Sequence, residues 1–421
     1  MSQKAVIYHH GIIGSGGSEK ITLEEDMYFN HVGVSTTILS FLYDPKVFNG
    51  TYNPNLRLIL PSNLSRSPGI KLVQKILSLR KTIKEIKPDI ILGSGEGSCI
   101  YLYFSTLFTN HSFSAHVPQT IFWDLETSGN MWDAAPFLLA RYSTVFRRVY
   151  QEIRNSIAGH MESLPEKPRL GFKKRIMAEV IGAVTYVSVK RAKNLFVLSK
   201  IMAREVELMY GMKAIVLKGA YRKEQIHYNT QKELKEELQI QNKRMILSVC
   251  RLSEKKRVDL IIRAFAILTN KRKDIALIVG GIGTEEEILK KLANDLGISE
   301  IVFFPGFIHE NELSDYYASC DLFVSADHSD FDITTYTALG FGKKVVWTTE
   351  NEIESDWIER GIVFPAEVNP HSFADAMQKA LETDSPACLP TDRFSWEVYF
   401  SSVLKYLGAD TGSERLSLLQ K

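Results

Sequence analysis

The chain has 421 residues, 45% hydrophobic and 24% charged, with a net charge of +2. The length exceeds one ordinary core and predicts two domains, and the composition is that of a globular protein. No apolar run reaches the roughly 18 residues of a spanning helix, and Cys99, Cys250, Cys320 and Cys388 lack the paired spacing of a zinc or disulfide framework.

Charge is unevenly spread. Residues 1–220 hold 27 Lys/Arg and 17 Asp/Glu, a net of +10, and the remainder holds 24 and 32, a net of −8. A basic half points to an anionic surface or substrate. The chain opens in a strand, with no charged-then-apolar export signal. With the scattered cysteines this predicts a reducing, cytoplasmic setting.

In chain order, the first predicted strand is Ala5–His9, followed by a loop containing Gly11, Gly14, Gly16 and Gly17 and then a helical pattern. The glycine spacing is wrong for a dinucleotide fingerprint, and no Gly-Lys-Ser/Thr follows as a P-loop needs. The loop is either a tight turn or a close backbone approach to a ligand at a helix N-terminus. Strands follow at Thr36–Tyr43, Arg57–Leu60, Ile90–Leu92, Gln119–Asp124 and Leu195–Leu198. A helix over Lys71–Ile86 has apolar residues at 72, 76, 79, 83 and 86, flanked by Lys71, Lys75, Arg80, Lys81, Lys84 and Lys87.

A second strand series is Ala214–Leu217, Met245–Val249, Ala276–Val279, Ile301–Phe304, Leu322–Ser325 and Lys344–Trp347, with helices over Asp259–Leu268, Glu285–Leu296 and Glu310–Ser319. Such alternation predicts two Rossmann-like domains with parallel sheets. The polar segment Lys218–Asn242 places their boundary, with a first domain of residues 1–218 plus 391–421 and a second of residues 219–390.

Two segments of the second half carry chemistry. "CRLSEKKRVDLIIRAF" sets Arg251 and Lys256 after a strand, where parallel sheets bind ligands. They suit a pyrophosphate or are a solvated charged loop. "DLFVSADHSDFDITTYTALGFGKKVVW" runs strand, acidic loop and helix. The backbone N–H groups near Ile333, Thr334 and Thr335 would make an anion site. Asp330 and Asp332, on either side of Phe331, read as ligand-binding acids, as first-turn acids favoured by the helix dipole, or as a metal-binding pair.

These segments resemble the retaining GT-B glycosyltransferases of the large family 4 type. "CRLSEKKRVDLIIRAF" is similar to their G-R-…-K-G-x-D-x-L-I-x-A-F, and residues 276–326 follow the family's V-G-x-G…A-D-x-F-V-x-S course. "FSWEVYFSSVLKYL" resembles the closing helix that crosses back to the first domain, and "GGSEK" the G-G-x-E loop. The resemblance implies a GDP- or UDP-sugar donor in a cleft between domains and retention of configuration, with no cofactor and no metal. Arg251 and Lys256 would hold the pyrophosphate, helped by the N–H groups at Ile333–Thr335, and Phe331 lies beside that group. The backbone near Phe307 and Ile308 would read the base. Gly16 and Gly17 would approach the phosphates or sugar.

The chain departs from the family at Ser329 and Thr337, which stand where a pair of glutamates is usual. Asp330 or Asp332 is placed to replace the first, and Thr337 offers a ribose one hydroxyl. Asp124, with Glu126 beyond it, stands where many members carry a histidine; it would orient the acceptor hydroxyl or accept its proton, or is a solvated acid. Basic amphipathic helices suit an anionic membrane. They point to a lipid-linked saccharide or membrane lipid as acceptor and a peripheral location on the cytosolic face. Hexosyl transfer is expected, and the first-half loop resembles that of lipid-linked-oligosaccharide mannosyltransferases. No nucleic-acid-binding motif occurs. The alternatives are a transferase acting on a free sugar or small metabolite, and a catalytically silent GT-B binding protein.

Overall fold

The computed structural model describes residues 3–13, 17–44, 53–118, 172–222, 231–327, 331–384 and 391–409. The chain divides into two units, Met1–Lys218 with Trp396–Lys421, and Gly219–Ser395. The return to the first unit thus begins at Trp396; residues 391–395, expected with the returning segment, lie in the second unit, where Tyr221 bridges to Ser395.

In the first unit the strands are β1 (Lys4–Tyr8), β2 (Gly11–Ile12), β3 (Ser35–Ser40), β4 (Leu42–Tyr43), β5 (Leu56–Leu58), β6 (Ile90–Ser94), β7 (Ser114–Val117), β8 (Leu195–Val197) and β9 (Ile215–Val216). Seven form one parallel sheet in the order β5-β3-β1-β6-β7-β8-β9, and β2 pairs with β4 separately. β9 was expected at the head of the second sheet; it closes the first, paired with β8. The expected strand Gln119–Asp124 lies outside the described residues.

β7 was not expected, because Ser114 and His116 interrupt its apolar run. The sheet accommodates His116 by giving both ring nitrogens a partner. Nε2 lies 3.0 Å from Glu25 Oε1 of helix α1 (Gly17–His31), and the Tyr399 hydroxyl lies 3.0 Å from Nδ1. Glu25, His116 and Tyr399 are all buried, and burial of such groups is tolerable only when they are bonded. Tyr399 belongs to the C-terminal helix Trp396–Leu407, whose Phe400 ring packs on Tyr28 and Phe29.

A second polar knot fixes α1. Buried Asp26 accepts from the amides of Asn53 and Asn55, each at 3.0 Å, and from the Thr36 hydroxyl. The helix that leaves the glycine loop is therefore tied to β3 and to the turn before β5.

Helices α2 (Pro68–Ile86) and α3 (Glu96–Thr106) flank β6 in sequence. α2 starts with Pro68, suited to a first turn with free N–H groups, and buries Leu79 and Ile83. Two of its six expected surface cations are not surface charges. Lys75 is buried, and Arg80 donates to the Leu107 carbonyl at 2.8 Å beyond the end of α3. Lys71, Lys81, Lys84 and Lys87 are exposed. Further along, Phe172–Val189 is helical. Among the described residues no helix is long and apolar enough to cross a membrane.

The second unit is a six-stranded parallel sheet of β10 (Arg244–Val249), β11 (Ile275–Gly280), β12 (Val302–Gly306), β13 (Leu322–Ser325), β14 (Val345–Thr348) and β15 (Val363–Ala366). The order is β12-β11-β10-β13-β14-β15. Helix Val258–Thr269 inserts Ile261 and Phe265 into a core shared with Ile246, Leu277, Val324 and Phe373. β15 was missed because Pro365 interrupts it; as an edge strand it tolerates a residue that cannot donate. In both sheets the first strand lies between strands wound in opposite directions, so each has a switch point at its carboxyl edge.

Candidate functional site

The switch point of the second sheet lies between β10 and β13. Arg251 and Lys256 leave β10 and enter the loop before helix Val258–Thr269. The loop is held by backbone bonds to the glycine turn after β11: Leu252 N–H donates to Ile282 O at 3.0 Å, and Glu285 N–H to Leu252 O at 3.1 Å. Contact is so close that a Cβ on Gly281 would sit 1.8 Å from Cys250 O, and one on Gly283 2.0 Å from Leu252 O. Gly281 also has φ of +126°, where side chains are strained.

Arg251 is exposed. Lys256, in a single 3-10 turn (Glu254–Lys256), forms an ion pair with Asp327, whose side chain is only 2% exposed. The next residue, Arg257, is left-handed at φ 47° and pairs its buried guanidinium with Glu350 at 2.6 Å. Asn351 donates to the Asp327 carbonyl at 2.9 Å and so links the two pairs. Burial pushes the neighbouring Cys250 thiol up to about 12, with Lys256 opposing and Asp327 and Asp332 adding to the shift. This cysteine is an inert neutral wall beside the loop.

After β13 the helix Ile333–Gly340 begins, with Asp332 as its N-cap. One Asp332 oxygen accepts from Thr334 N–H at 3.1 Å and Thr335 N–H at 3.4 Å; the other accepts from the Ser325 and Thr335 hydroxyls, each at 2.6 Å. Asp332 is therefore a capping acid. Two of the N–H groups expected to receive an anion are already engaged by its carboxylate.

The remaining expected residues divide by what their side chains touch. Phe331 is buried and stacked on Tyr336 with ring centroids 4.3 Å apart, so its ring belongs to an aromatic core with Trp347, Trp357 and Phe394. Thr337 is buried and donates its hydroxyl proton to the Ile333 carbonyl at 2.7 Å, which leaves an acceptor lone pair but no free donor. Ile308 is buried against Gly280, whereas Phe307 is 44% exposed and edge-on to His309. In the first unit Gly17 opens α1. Gly16, Asp124, Ser329 and Asp330 lie outside the described residues. So do Glu126 and, among the basic residues the sequence offers to an anionic membrane, Arg147, Arg148 and the side chains of Lys173, Lys174 and Arg175.

Residues 230–389 match the family model described as Glycosyl transferases group 1. Over these residues, 160 of the chain's 421, the chain is similar to the group 1 glycosyl transferases. An alpha-monoglucosyldiacylglycerol synthase of Streptococcus pneumoniae is 32% identical over 128 residues, 30% of this chain and 29% of that protein. A GDP-mannose-dependent alpha-(1-6)-phosphatidylinositol monomannoside mannosyltransferase of Mycolicibacterium smegmatis is 35% identical over 80 residues, 19% of this chain and 21% of that protein. The chain thus aligns with less than a third of the length of these curated relatives. HepE of Anabaena, solved in complex with UDP and glucose, has a TM-score of 0.68 at 14% identity, covering 96% of this chain and 99% of HepE. The fold is GT-B, with two Rossmann-like units.

In the second unit, sequence reasoning passed over Asp327, Glu350 and Asn351. Nothing local marks them, because each partners a cation distant in sequence. Gly281 and Gly283 were legible as a glycine-rich turn, but which backbone they approach was not.

Proposed function

We propose that this protein is a retaining glycosyltransferase that moves a hexose from a GDP- or UDP-sugar to a lipid-linked saccharide or membrane lipid. The observation that carries the reading is the loop Cys250–Lys256, locked by backbone bonds to the Gly281–Gly283 turn at the switch point of a group 1 transferase domain. A rigid backbone presents Arg251 and Lys256 with little reorganisation, as stabilisation of a departing diphosphate requires. Arg251 supplies a planar fork and Lys256 a compact charge. Neutralisation by these cations makes a metal unnecessary.

The acceptor reading is supported by α2 and by the relatives' names. Ile70, Val73 and Leu77 are each more than half exposed, and Lys71, Lys81 and Lys84 are exposed on the same helix. Phe172, Ile176 and Val180 are exposed four residues apart on helix Phe172–Val189. Exposed apolar residues flanked by lysines suit the interface of an anionic membrane. Two relatives are named for lipid products or acceptors. The test is a screen of GDP- and UDP-sugars against a polyprenyl-lipid extract, read by mass shift. A hexose added to a lipid supports the reading; addition only to water-soluble sugars overturns its acceptor half.

A second reading, a GT-B binding protein with no transfer activity, is favoured by the internal use of the donor site's groups: Lys256 by Asp327, the helix N–H groups by Asp332, the Thr337 hydroxyl by Ile333. Calorimetry with UDP and GDP separates the two. Binding of neither supports the silent protein.

A further inference from the structure

The carboxyl edge of the first sheet holds a cluster that the donor chemistry does not use. β1 ends at Tyr8 and is followed by His9 and His10; Phe41 follows β3. Lys75 comes from the second turn of α2, and Tyr101 from α3, the helix after β6. All these elements meet where β1 lies between β3 and β6, the switch point of this sheet.

Lys75 is buried, at 8% exposure. Its ammonium lies 4.7 Å from the centre of the Phe41 ring and 3.4 Å from His10 Nε2. Among the described residues no acid pairs with it. An ammonium that donates to Nε2 leaves the ring proton on Nδ1, which faces the Tyr8 hydroxyl at 3.2 Å. Tyr101 covers the imidazole, with ring centroids 5.0 Å apart. Beside it, His9 Nδ1 is buried and has no hydrogen-bond partner among the described residues. Buried cations are ordinarily paired; this one meets a neutral imidazole and the face of the Phe41 ring and retains N–H donors.

We infer that Lys75 and His10, walled by Phe41 and Tyr101, form a binding site for a phosphate group of the acceptor. The ammonium is the charged donor. The rings fix its position and exclude water, which strengthens its attraction for an anion. A carbohydrate or lipid carrying a phosphate supplies the countercharge that the fold omits. The inference rests on the glycosyl-transfer reading for the identity of the ligand as acceptor, but the anion site itself stands apart from the donor loop. The phosphate comes from a lipid headgroup or from a water-soluble sugar phosphate, and the experiment has an arm for each.

The donor loop is silenced first by Arg251→Ala and Lys256→Ala in the full chain, so that bound phosphate reports on the first unit. Inorganic phosphate is titrated calorimetrically into this double variant and into the same protein carrying Lys75→Met. Vesicles of phosphatidylcholine with and without phosphatidic acid form the lipid arm. The expected result is binding to the double variant and a loss of about tenfold or more with Lys75→Met, the scale of one charge-assisted hydrogen bond. Should Lys75→Met fail to fold, the His10 ring nitrogen resonances of the double variant are followed during the titration; a shift supports the site. Equal affinity with and without Lys75, or unmoved His10 resonances, overturns it. Phosphate binding at Lys75 in a protein that transfers no sugar would refute the glycosyl-transfer reading and leave the anion site standing. Sugar transfer unaffected by Lys75→Met, in a protein whose phosphate affinity Lys75 does not change, would do the reverse.

Discussion

At the carboxyl edge of the second sheet Lys256 meets Asp327 and Arg257 meets Glu350, whereas at the first sheet Lys75 meets an imidazole and a phenyl ring. The two sheets share one topology and differ in how their cations are answered. On the proposed donor reading, a diphosphate entering the second unit would have to exchange with a carboxylate already present, and affinity would be a difference between two ion pairs. In the first, no acid among the described residues pairs with the cation, so an anion there would displace none of them. Similar frames thus yield a self-compensated edge and an uncompensated one, and net charge per half conveys only the coarse outline of this.

The largest expected effect removes the second edge's grip. Replacing Arg251 and Lys256 together by alanine should lower sugar transfer by about a thousandfold, taking the scale of a lost transition-state donor; an undiminished initial rate would sink the donor reading. Gly281→Ala attacks the frame that holds the grip. Its Cβ would collide with the Cys250 carbonyl at a φ of +126°, and the expected cost is about 2–5 kcal/mol from strain and overpacking. Urea unfolding of the variant measures it.

Asp327→Asn would bring the two edges closer in kind. With the competing charge gone, nucleoside diphosphate should bind about tenfold more tightly by calorimetry. Weaker binding would instead make Asp327 a residue that aims Lys256.

The first edge can be altered by pH. Burial first, then Lys75 and His9, lowers His10 to about 4, against about 6.5 in an unfolded chain. Between these values the unfolded chain binds the extra proton, so stability is intact above pH 6.5 and is lost as pH falls toward 4. Melting temperature should drop over that window, and His10→Gln should flatten the drop; identical slopes would count against it. The smallest expected effect is none: if cations alone neutralise the diphosphate, transfer rates should be the same with and without EDTA.

Much of the architecture was legible in the sequence because parallel strands buried on both faces read as apolar runs. The runs at 245–249, 276–279 and 322–325 fall on β10, β11 and β13. Two of the strands that escaped, β7 and β15, contain His116 and Pro365, and each is explained by a partner or an edge position invisible to local pattern. At the site, the loop bearing Arg251 and Lys256 was visible through its position after a strand. Asp332 stood open among three roles, and only its hydrogen bonds identify it as a cap. Phe331 looked available beside the acids, yet its ring stacks on Tyr336. Side-chain direction in a loop is set by tertiary packing, which one-dimensional spacing does not encode.

The contact of Tyr399 and Phe400 with α1 and β7 bears on how the chain is made. The first half cannot cover Glu25, Tyr28, Phe29 and His116 until the last helix exists. During synthesis all of Gly219–Ser395 must emerge in the interval, roughly 10–40 s at ordinary ribosomal speeds. A nascent protein of this kind spends that time with an open seam, and a chain cut short before Trp396 would never shut it.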